Sequence, residues 1–425
     1  MHAKVIIFYL ISNGKKKKHF IFAFFYILSF FYKSFCQKFF KLVSFFITFA
    51  PMKIHIFNPE HDIALAADNI FWTAPHAGRQ LRADLGWIPA LWADDGDIVV
   101  VDDVNASESA ARRCLLSNNN VHFVSLSKLA FLLRRICGCQ DITSTGVTSV
   151  EFCPWGWDKA IVGQLRRSGI DESFLPDDIG LDVIRNLSDR STSSQLLHSL
   201  RQNVTQTRGE SLSVGSMEEL LRYFSKWSKI VVKSPWSSSG RGVRYMFDEN
   251  PNVLRWADKV LRTMGHVMVE KYQNKILDIG MEFTAHSDGS IRYDGLSVFD
   301  TQNGAYTGNI LATEDEKVAI LERYIERQLL TEVQLFITGW IKQKINGCYV
   351  GPFGVDMMVV GEEDSVSGEL KYYLHPCVEI NLRRTMGHVA LSISPKEEGL
   401  CKTMRVSYEG GSYHLRIANN HEILV

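Results

Sequence analysis

The chain has 425 residues, of which 46% are hydrophobic and 22% charged, a composition that predicts a globular protein of two or three domains. Residues 1–51 hold eight Lys and no Asp or Glu, which leaves 39 of the 47 basic residues against 47 acidic ones from Met52 onward, a net charge of −8. So acidic a body excludes a protein that coats nucleic acid, which needs a basic face. The eight Cys have neither CxxC nor zinc spacing, which indicates a reducing, cytoplasmic setting.

Residues 1–51 are rich in Phe, Lys and Ile and have three interpretations. They can be a hydrophobic extension that is non-native or disordered, a membrane anchor, or a signal peptide. Lys33, Lys38 and Lys41 interrupt the apolar runs, which fall short of the ~20 residues that a membrane-spanning helix needs. No small-residue cleavage site follows. We therefore favour the first interpretation, with Met52 as the true start and no membrane contact.

Short apolar strands alternate with helical patterns in the next hundred residues. Strands are predicted at 52–57, 97–101 and 121–126, and a polar loop at 58–62 follows the first strand. This alternation is typical of a parallel sheet, so residues 52–150 are expected to form a small α/β domain. Residues 151–187 are expected to be linker helices.

The remaining chain predicts an α+β domain over residues 188–400, followed by a C-terminal segment at 401–425. Helices are predicted at 189–201, 216–227, 253–263 and 314–344. Strands are predicted at 230–233, 267–270, 276–286, 291–299, 351–360 and 371–381.

Lys233 ends a β-branched strand and precedes a loop of unusual composition. The loop holds three serines and two glycines, together with Arg241: Ser237, Ser238, Ser239, Gly240 and Gly242. Glycine lets the backbone approach a ligand and present successive N–H groups to an anion. This is phosphate-binding chemistry without a Walker sequence; the alternative is a flexible surface loop after an ordinary strand.

A second set of candidates consists of Asp356, Glu379 and Asn381. The alternation of strand side chains places Glu379 and Asn381 on one face, and a hairpin would bring Asp356 alongside. Two carboxylates and an amide oxygen are ligands that suit Mg²⁺. Arg383 lies two residues further on the same face. The alternative is an exposed strand edge of charged residues.

Two weaker candidates lie elsewhere in the chain. Residues 267–272 read as a strand ending in a carboxylate, which can border a purine, although an ordinary strand has the same pattern. Glu60, His61 and Asp62 follow the first strand at its carboxyl end, where ligands bind in α/β sheets. They are candidate acceptor-site residues, unless 58–62 is simply a solvated loop.

The order of these elements resembles the ATP-grasp superfamily across about half of the chain. The resemblance implies a fold in which two α+β subdomains clasp ATP after a small α/β domain. It implies that Lys233 and the loop bind the phosphates, while Glu270, Lys271 and Tyr272 border adenine. By the same resemblance, Mg²⁺ or Mn²⁺ is held by Asp356, Glu379 and Asn381. Arg190 stands where many members have an earlier lysine.

The resemblance also implies a ligase that activates a small-molecule or peptide carboxylate as an acylphosphate for attack by an amine or a similar nucleophile. Arg383 and Arg241 are expected to stabilise the transferring group. A small-molecule kinase and a non-catalytic nucleotide-binding module are the alternatives, and either can be an oligomer. Lys233 and Glu379 are expected to face a cleft, so that substituting them leaves thermal stability nearly unchanged.

Overall fold

The computed structural model describes residues 51–114, 120–138, 149–237, 240–302, 305–364 and 367–419. The chain divides into two compact units, one of Lys53–Arg135 with Glu151–Val425, the other of Met1–Met52 with Ile136–Val150. Residues 1–50, with the three interpretations given to them, lie outside the described residues. Within the described ranges, no helix is both long enough and apolar enough to cross a membrane.

The first part of the chain builds a four-stranded sheet in the order β3–β2–β1–β4. The strands are β1 (Met52–Ile56), β2 (Ile98–Val101), β3 (His122–Ser125) and β4 (Val150–Pro154). Both β1 and β3 pair with β2 in parallel. All four residues of β2 are buried, as expected for a strand of Ile and Val that is covered on both faces. The helices of this part are α1 (His61–Ala67), α2 (His76–Leu85), α3 (Val104–Cys114), α4 (Leu126–Gly138), α5 (Lys159–Arg167) and α6 (Asp178–Leu187).

A second, antiparallel sheet has four strands in the order β5–β8–β6–β7. The elements here are α7 (Arg190–Asn203), β5 (Ser211–Val214), α8 (Met217–Trp227), β6 (Ile230–Lys233), β7 (Val243–Met246), α9 (Pro251–Met264) and β8 (Val267–Lys271). Leu220 of α8 and Ala257 of α9 join Val232 and Val269 of the sheet in one buried core. The strand that ends at Lys233 is therefore held rigidly between two neighbours.

The third sheet is antiparallel and has seven strands in the order β13–β12–β9–β10–β11–β14–β15. Its strands are β9 (Lys275–Ala285), β10 (Ile291–Gln302), β11 (Ala305–Leu311), β12 (Gly351–Glu363), β13 (Leu370–Asn381), β14 (Lys402–Glu409) and β15 (Ser412–Asn419). The helices are α10 (Glu314–Leu321), α11 (Arg327–Ile345) and α12 (Met386–Ile393). Phe283 and Phe353 stack with ring centroids 5.1 Å apart in the core of this sheet.

The predicted mixed α/β fold class is confirmed by these three sheets. A parallel α/β segment precedes two antiparallel α+β segments, which is the order that the ATP-grasp resemblance implies. The prediction of one long helix over 314–344 is wrong, because the chain turns between α10 and α11. The turn buries Ile325 in the same core as Leu321 and Leu329 and places Tyr324 against Tyr372. Apolar spacing alone did not reveal this break.

Candidate functional site

The loop after β6, residues 234–242, is closed at its base and is called the glycine–serine loop below. The backbone N–H of Ser234 donates to the carbonyl oxygen of Gly242 over 2.9 Å. A Cβ atom at Gly242 would lie 2.2 Å from Ser234 Oγ, so this position has room only for glycine. Gly240 has φ of +70°, a left-handed conformation that glycine adopts without strain. Ser238 and Ser239 lie outside the described residues, and Arg241 is exposed.

Lys233 forms a buried ion pair with Glu270 on the neighbouring strand. The Nζ and Oε2 atoms are 2.6 Å apart, and the two side chains are 8% and 10% exposed. The expectation that Lys233 faces an open cleft is therefore wrong, because its own sheet supplies a carboxylate that covers the charge. Ser211 Oγ also donates to Glu270 Oε1 over 3.3 Å, so both oxygens of this carboxylate already have a partner within the protein.

Two further residues of the predicted adenine border lie at the end of β8. Lys271 is exposed. The ring of Tyr272 lies edge-on to Phe247, with centroids 4.9 Å apart, and also meets Tyr245 at 6.3 Å. Phe247 and Tyr245 are each about half exposed, at 51% and 54%. A cluster of partly exposed aromatic rings thus lies close to the Lys233–Glu270 pair. That Glu270, Lys271 and Tyr272 border adenine remains a prediction.

Arg190 connects the glycine–serine loop to the seven-stranded sheet. It begins α7, which is capped by the side chain of Asp189. Its Nη1 atom donates to Ser234 O and to Ser237 Oγ, each over 2.7 Å. Its Nη2 atom is 2.7 Å from Glu379 Oε1 on β13. One arginine, with a side chain only 5% exposed, therefore brings the predicted phosphate loop and a predicted metal ligand into a single site.

The predicted hairpin does place Asp356 beside Glu379, because the two residues are partners in the register of β12 and β13. Asn381 Nδ2 donates to Asp356 Oδ2 over 3.0 Å. Burial raises the pKa of Asp356 to about 8, and the charges of Glu379 and Glu282 add to this effect. Two half-buried carboxyl groups side by side form a donor set that suits a hard divalent cation. Among the described residues, no three His, Cys, Asp or Glu side chains meet as a metal site, so Asn381 would be the third ligand.

The raised pKa of Asp356 predicts that metal binding depends on pH. The metal-free protein holds a proton on Asp356 between its ordinary pKa of 3.8 and about 8, so its free energy of unfolding should fall as pH rises through this window. A bound cation displaces the proton, so affinity for the metal should rise with pH until about 8 and then level off.

Calorimetry of Mg·ATP binding at pH 7, in two buffers of different ionisation enthalpy, measures this proton directly. We expect close to one proton released per nucleotide bound by the parent protein and almost none by Asp356→Asn. Equal proton release from the two proteins would contradict the assignment of Asp356 as the group that titrates.

The guanidinium of Arg383 forms an ion pair with Asp62 of α1. The Nε and Nη2 atoms of Arg383 donate to the two carboxylate oxygens of Asp62 over 2.9 and 2.7 Å, a forked contact. Nη2 also donates to Asn381 Oδ1 over 3.0 Å. Burial alone would raise the pKa of Asp62, but the charge and hydrogen bonds of Arg383 outweigh it and lower the pKa. This contact joins the predicted acceptor residues to the predicted metal site.

Glu60 and His61 have different surroundings from Asp62. His61 begins a helix instead of lying in a loop, and its ring is fully buried, with Nδ1 3.1 Å from Asp158 Oδ2. His61 Nε2 and Glu60 Oε2 are both buried without a hydrogen-bond partner. Burial raises the pKa of Glu60 in spite of Arg82, whose Nη1 is 3.2 Å from Glu60 Oε1.

A cavity of about 250 Å³ opens beside Glu60. Asn58, Arg79, Arg82 and Gln164 are among its lining residues, and His61 is not. Charged side chains of both signs border it, since Glu60 and Asp158 line it as well. It is a candidate acceptor cavity at the carboxyl end of β1.

Three residues in and around the site were not predicted from the sequence. Asp158 accepts bonds from Asn58 and the backbone N–H of Ile161, beside its contact with His61. Glu282 is 2% exposed and accepts a bond from Thr385 Oγ1 over 2.7 Å. Arg384 follows Arg383 directly. Only the doubled arginine was a signal in the sequence, because the other two depend on contacts between distant segments.

No protein-family model and no curated protein matches the chain. Solved structures are similar at low identity. One is the N5-carboxyaminoimidazole synthetase from Staphylococcus aureus complexed with ADP, with 14% identity, a TM-score of 0.42 and coverage of 85% of this chain and 84% of that chain. Another is the biotin carboxylase from Campylobacter jejuni, with 12% identity, a TM-score of 0.45 and coverage of 85% and 78%. The functional conclusion therefore depends on the side chains of the site.

Proposed function

We propose that this protein binds ATP with Mg²⁺ and uses it to activate a carboxylate as an acylphosphate, which an amine or a similar nucleophile then attacks. The observation that carries the proposal is the double contact of Arg190, which bonds the glycine–serine loop and is 2.7 Å from Glu379. The residues proposed to bind phosphate groups and those proposed to bind a cation are thereby adjacent. Adjacent sites of these two kinds are what phosphoryl transfer from ATP requires.

The phosphate side of the proposed site consists of Lys233, Arg190 and the glycine–serine loop. Lys233, at the end of a rigid strand, would offer its ammonium group to a phosphate oxygen beside its ion pair with Glu270. Arg190 Nε is buried without an acceptor, which leaves one donor of this guanidinium for a phosphate oxygen. Gly240 and Gly242 let the loop backbone approach the ligand closely.

The cation side consists of Asp356, Glu379 and Asn381, which would hold Mg²⁺. The metal would offset the negative charge that develops during transfer. Arg383, held by Asp62 and bonded to Asn381, would bring a fixed positive charge to the transferring group. The acceptor carboxylate would enter from the side of Asp62 and the cavity at Glu60.

Calorimetric titration of ATP with and without Mg²⁺ tests the nucleotide site. We expect at least tenfold tighter binding with Mg²⁺, because a cation held by Asp356, Glu379 and Asn381 would attract the phosphate oxygens. Equal affinity in the two conditions would refute the cation site. Incubation with Mg·ATP and a metabolite extract, followed by mass spectrometry, then tests the reaction. Release of ADP with a new amide supports the ligase, whereas a phosphorylated product without an amide identifies a kinase and contradicts it.

A further inference from the structure

Arg384 has a positive charge that nothing in the described part of the chain neutralises by direct contact. Its guanidinium lies over the indole of Trp92, with Cζ 4.5 Å from the ring centroid. The guanidinium has no hydrogen bond and no ion pair to any described residue. Burial lowers the pKa of Arg384 to about 10, which is the expected effect of holding a cation away from water. In contrast, each side-chain nitrogen of its neighbour Arg383 donates a hydrogen bond.

Trp92 has an unsatisfied donor at the same place. It follows the short 3-10 helix Ile88–Leu91, and its Nε1 atom is buried without a hydrogen-bond partner. The ring is fixed edge-on to His55, at 6.2 Å, and next to Trp155, at 6.3 Å. A buried donor without an acceptor costs about 1–3 kcal/mol, so the orphaned N–H of Trp92, beneath a half-buried arginine that has no ion pair among the described residues, indicates a missing acceptor.

The nearest carboxylates do not supply that acceptor. Glu282 and Asp294 act on Arg384 electrostatically but form their hydrogen bonds elsewhere. Glu282 accepts from Thr385 Oγ1 and lies 3.0 Å from His388 Nδ1. Asp294 accepts from Arg292 Nε over 2.7 Å and is also bonded by Thr284. The guanidinium of Arg384 and the indole N–H of Trp92 therefore both lack an acceptor among the described residues.

The backbone connects this pair to the acceptor side of the proposed site. The N–H of Arg384 donates to the carbonyl oxygen of Trp155 over 2.8 Å. The next residue, Gly156, accepts a bond from Asn58 Nδ2 over 2.8 Å, and its backbone contacts the His61 ring. Arg384 thus belongs with the segment 58–62 rather than with Lys233 and the glycine–serine loop.

We propose that Arg384 and Trp92 form an oxyanion-binding subsite, which takes a carboxylate or phosphate group of the acceptor substrate. The inference rests on the proposed function for the existence of an acceptor, and it adds that the acceptor has an anionic group apart from the carboxylate that is activated. The planar fork of arginine suits an oxyanion, and an indole N–H adds a fixed donor beside it.

The test uses the full chain labelled with 5-fluorotryptophan and followed by ¹⁹F NMR. The Trp92→Phe variant assigns the signal of Trp92, and Trp236→Phe assigns that of Trp236 within the glycine–serine loop. Sodium phosphate and sodium acetate are titrated separately at constant ionic strength. We expect a saturable shift of the Trp92 signal, and the anion that binds more tightly identifies the ligand group as a phosphate or a carboxylate.

The variant Arg384→Gln should weaken this binding at least tenfold, the loss expected when one charge-assisted hydrogen bond is removed. The matched control is Arg323→Gln, since Arg323 also stacks on an aromatic ring, at 5.6 Å from Tyr324, but is exposed. This control should bind the anion like the parent protein. Failure of both anions to shift Trp92, or an equal shift in Arg384→Gln, would overturn the subsite.

Thermal melting distinguishes a ligand-binding role of Arg384 from a purely structural one, in which it only stacks on Trp92. Removing a half-buried cation that has no ion pair among the described residues should leave the melting temperature of Arg384→Gln unchanged or raised. A clear fall with no anion response would assign Arg384 a structural role only. The Trp236 signal under Mg·ATP tests the nucleotide site independently. A shift of Trp236 without one of Trp92 refutes the subsite alone, and no shift of Trp236 refutes the proposed function.

Discussion

Replacing Lys233 with Met is expected to lower the free energy of unfolding by about 3–5 kcal/mol, the loss typical of removing one partner from a buried ion pair. The substitution leaves Glu270 as an unpaired carboxylate with a side chain only 10% exposed. Among the described residues, its one remaining side-chain hydrogen bond comes from Ser211. ATP affinity should fall as well, by roughly ten- to a hundredfold, because a charge-assisted contact with phosphate is lost.

The double variant Lys233→Met with Glu270→Gln separates these two effects. It removes both charges, so we expect most of the lost stability to return while ATP affinity stays low. Lys259, exposed on α9, provides the control substitution Lys259→Met, which should change neither property. Chemical denaturation and calorimetry measure stability and affinity. If the double variant were as unstable as the single one, the ion pair would not be the cause of the loss.

Glu379→Gln is expected to reduce ATP turnover by at least about a hundredfold while weakening ATP binding much less. A metal ion contributes several kcal/mol by neutralising charge that develops in the transition state, and the substitution would make one of its two proposed carboxylate ligands neutral. The proposed lysine and loop contacts to the phosphates would remain. Removing the charge of Glu379 should also lower the pKa of Asp356, since that charge helps to raise it.

The matched control is Glu362→Gln, on the same hairpin but at its other end. Glu362 pairs with Arg208 over 2.9 Å, and both side chains are about one-third exposed. The pair is accessible to water, so its loss should cost little stability and no turnover. ADP release and ATP affinity are measured on both variants. Parent-like turnover by Glu379→Gln would remove Glu379 from the cation site, and unfolding of that variant would make its role structural.

Local sequence patterns predicted those parts of the site that depend on one hairpin or one strand end. The alternation of β13 and the polar linker before it were enough to place Asp356 beside Glu379, and the register confirms that placement. Lys233 was likewise located at the end of its strand. These features follow from strand geometry, which the residues nearby determine.

The surroundings of those side chains could not be predicted, because they depend on pairing between distant segments. Lys233 was expected to face a cleft, and only the antiparallel pairing of β6 with β8 reveals that Glu270 covers it. The contact of Asp62 with Arg383 joins positions 321 residues apart. Among the described residues the guanidinium of Arg384 has no hydrogen-bond or ion-pair partner, and this depends on all the segments around it, so the spacing of residues in the sequence could not predict it.

The two ends of the described chain share one hydrophobic core, which therefore cannot be completed until the C-terminal end has been synthesised. Leu81 and Leu85 of α2 pack in one core with Val389, Met404 and Leu415, and Asp84 accepts a bond from the backbone N–H of Tyr413, 329 positions later. Until residues 389–415 have been synthesised, Leu81 and Leu85 lack their contacts with α12, β14 and β15. The core around α2 is therefore completed only after the C-terminal strands have formed, and we expect both leucines to be partly exposed on the nascent chain until then.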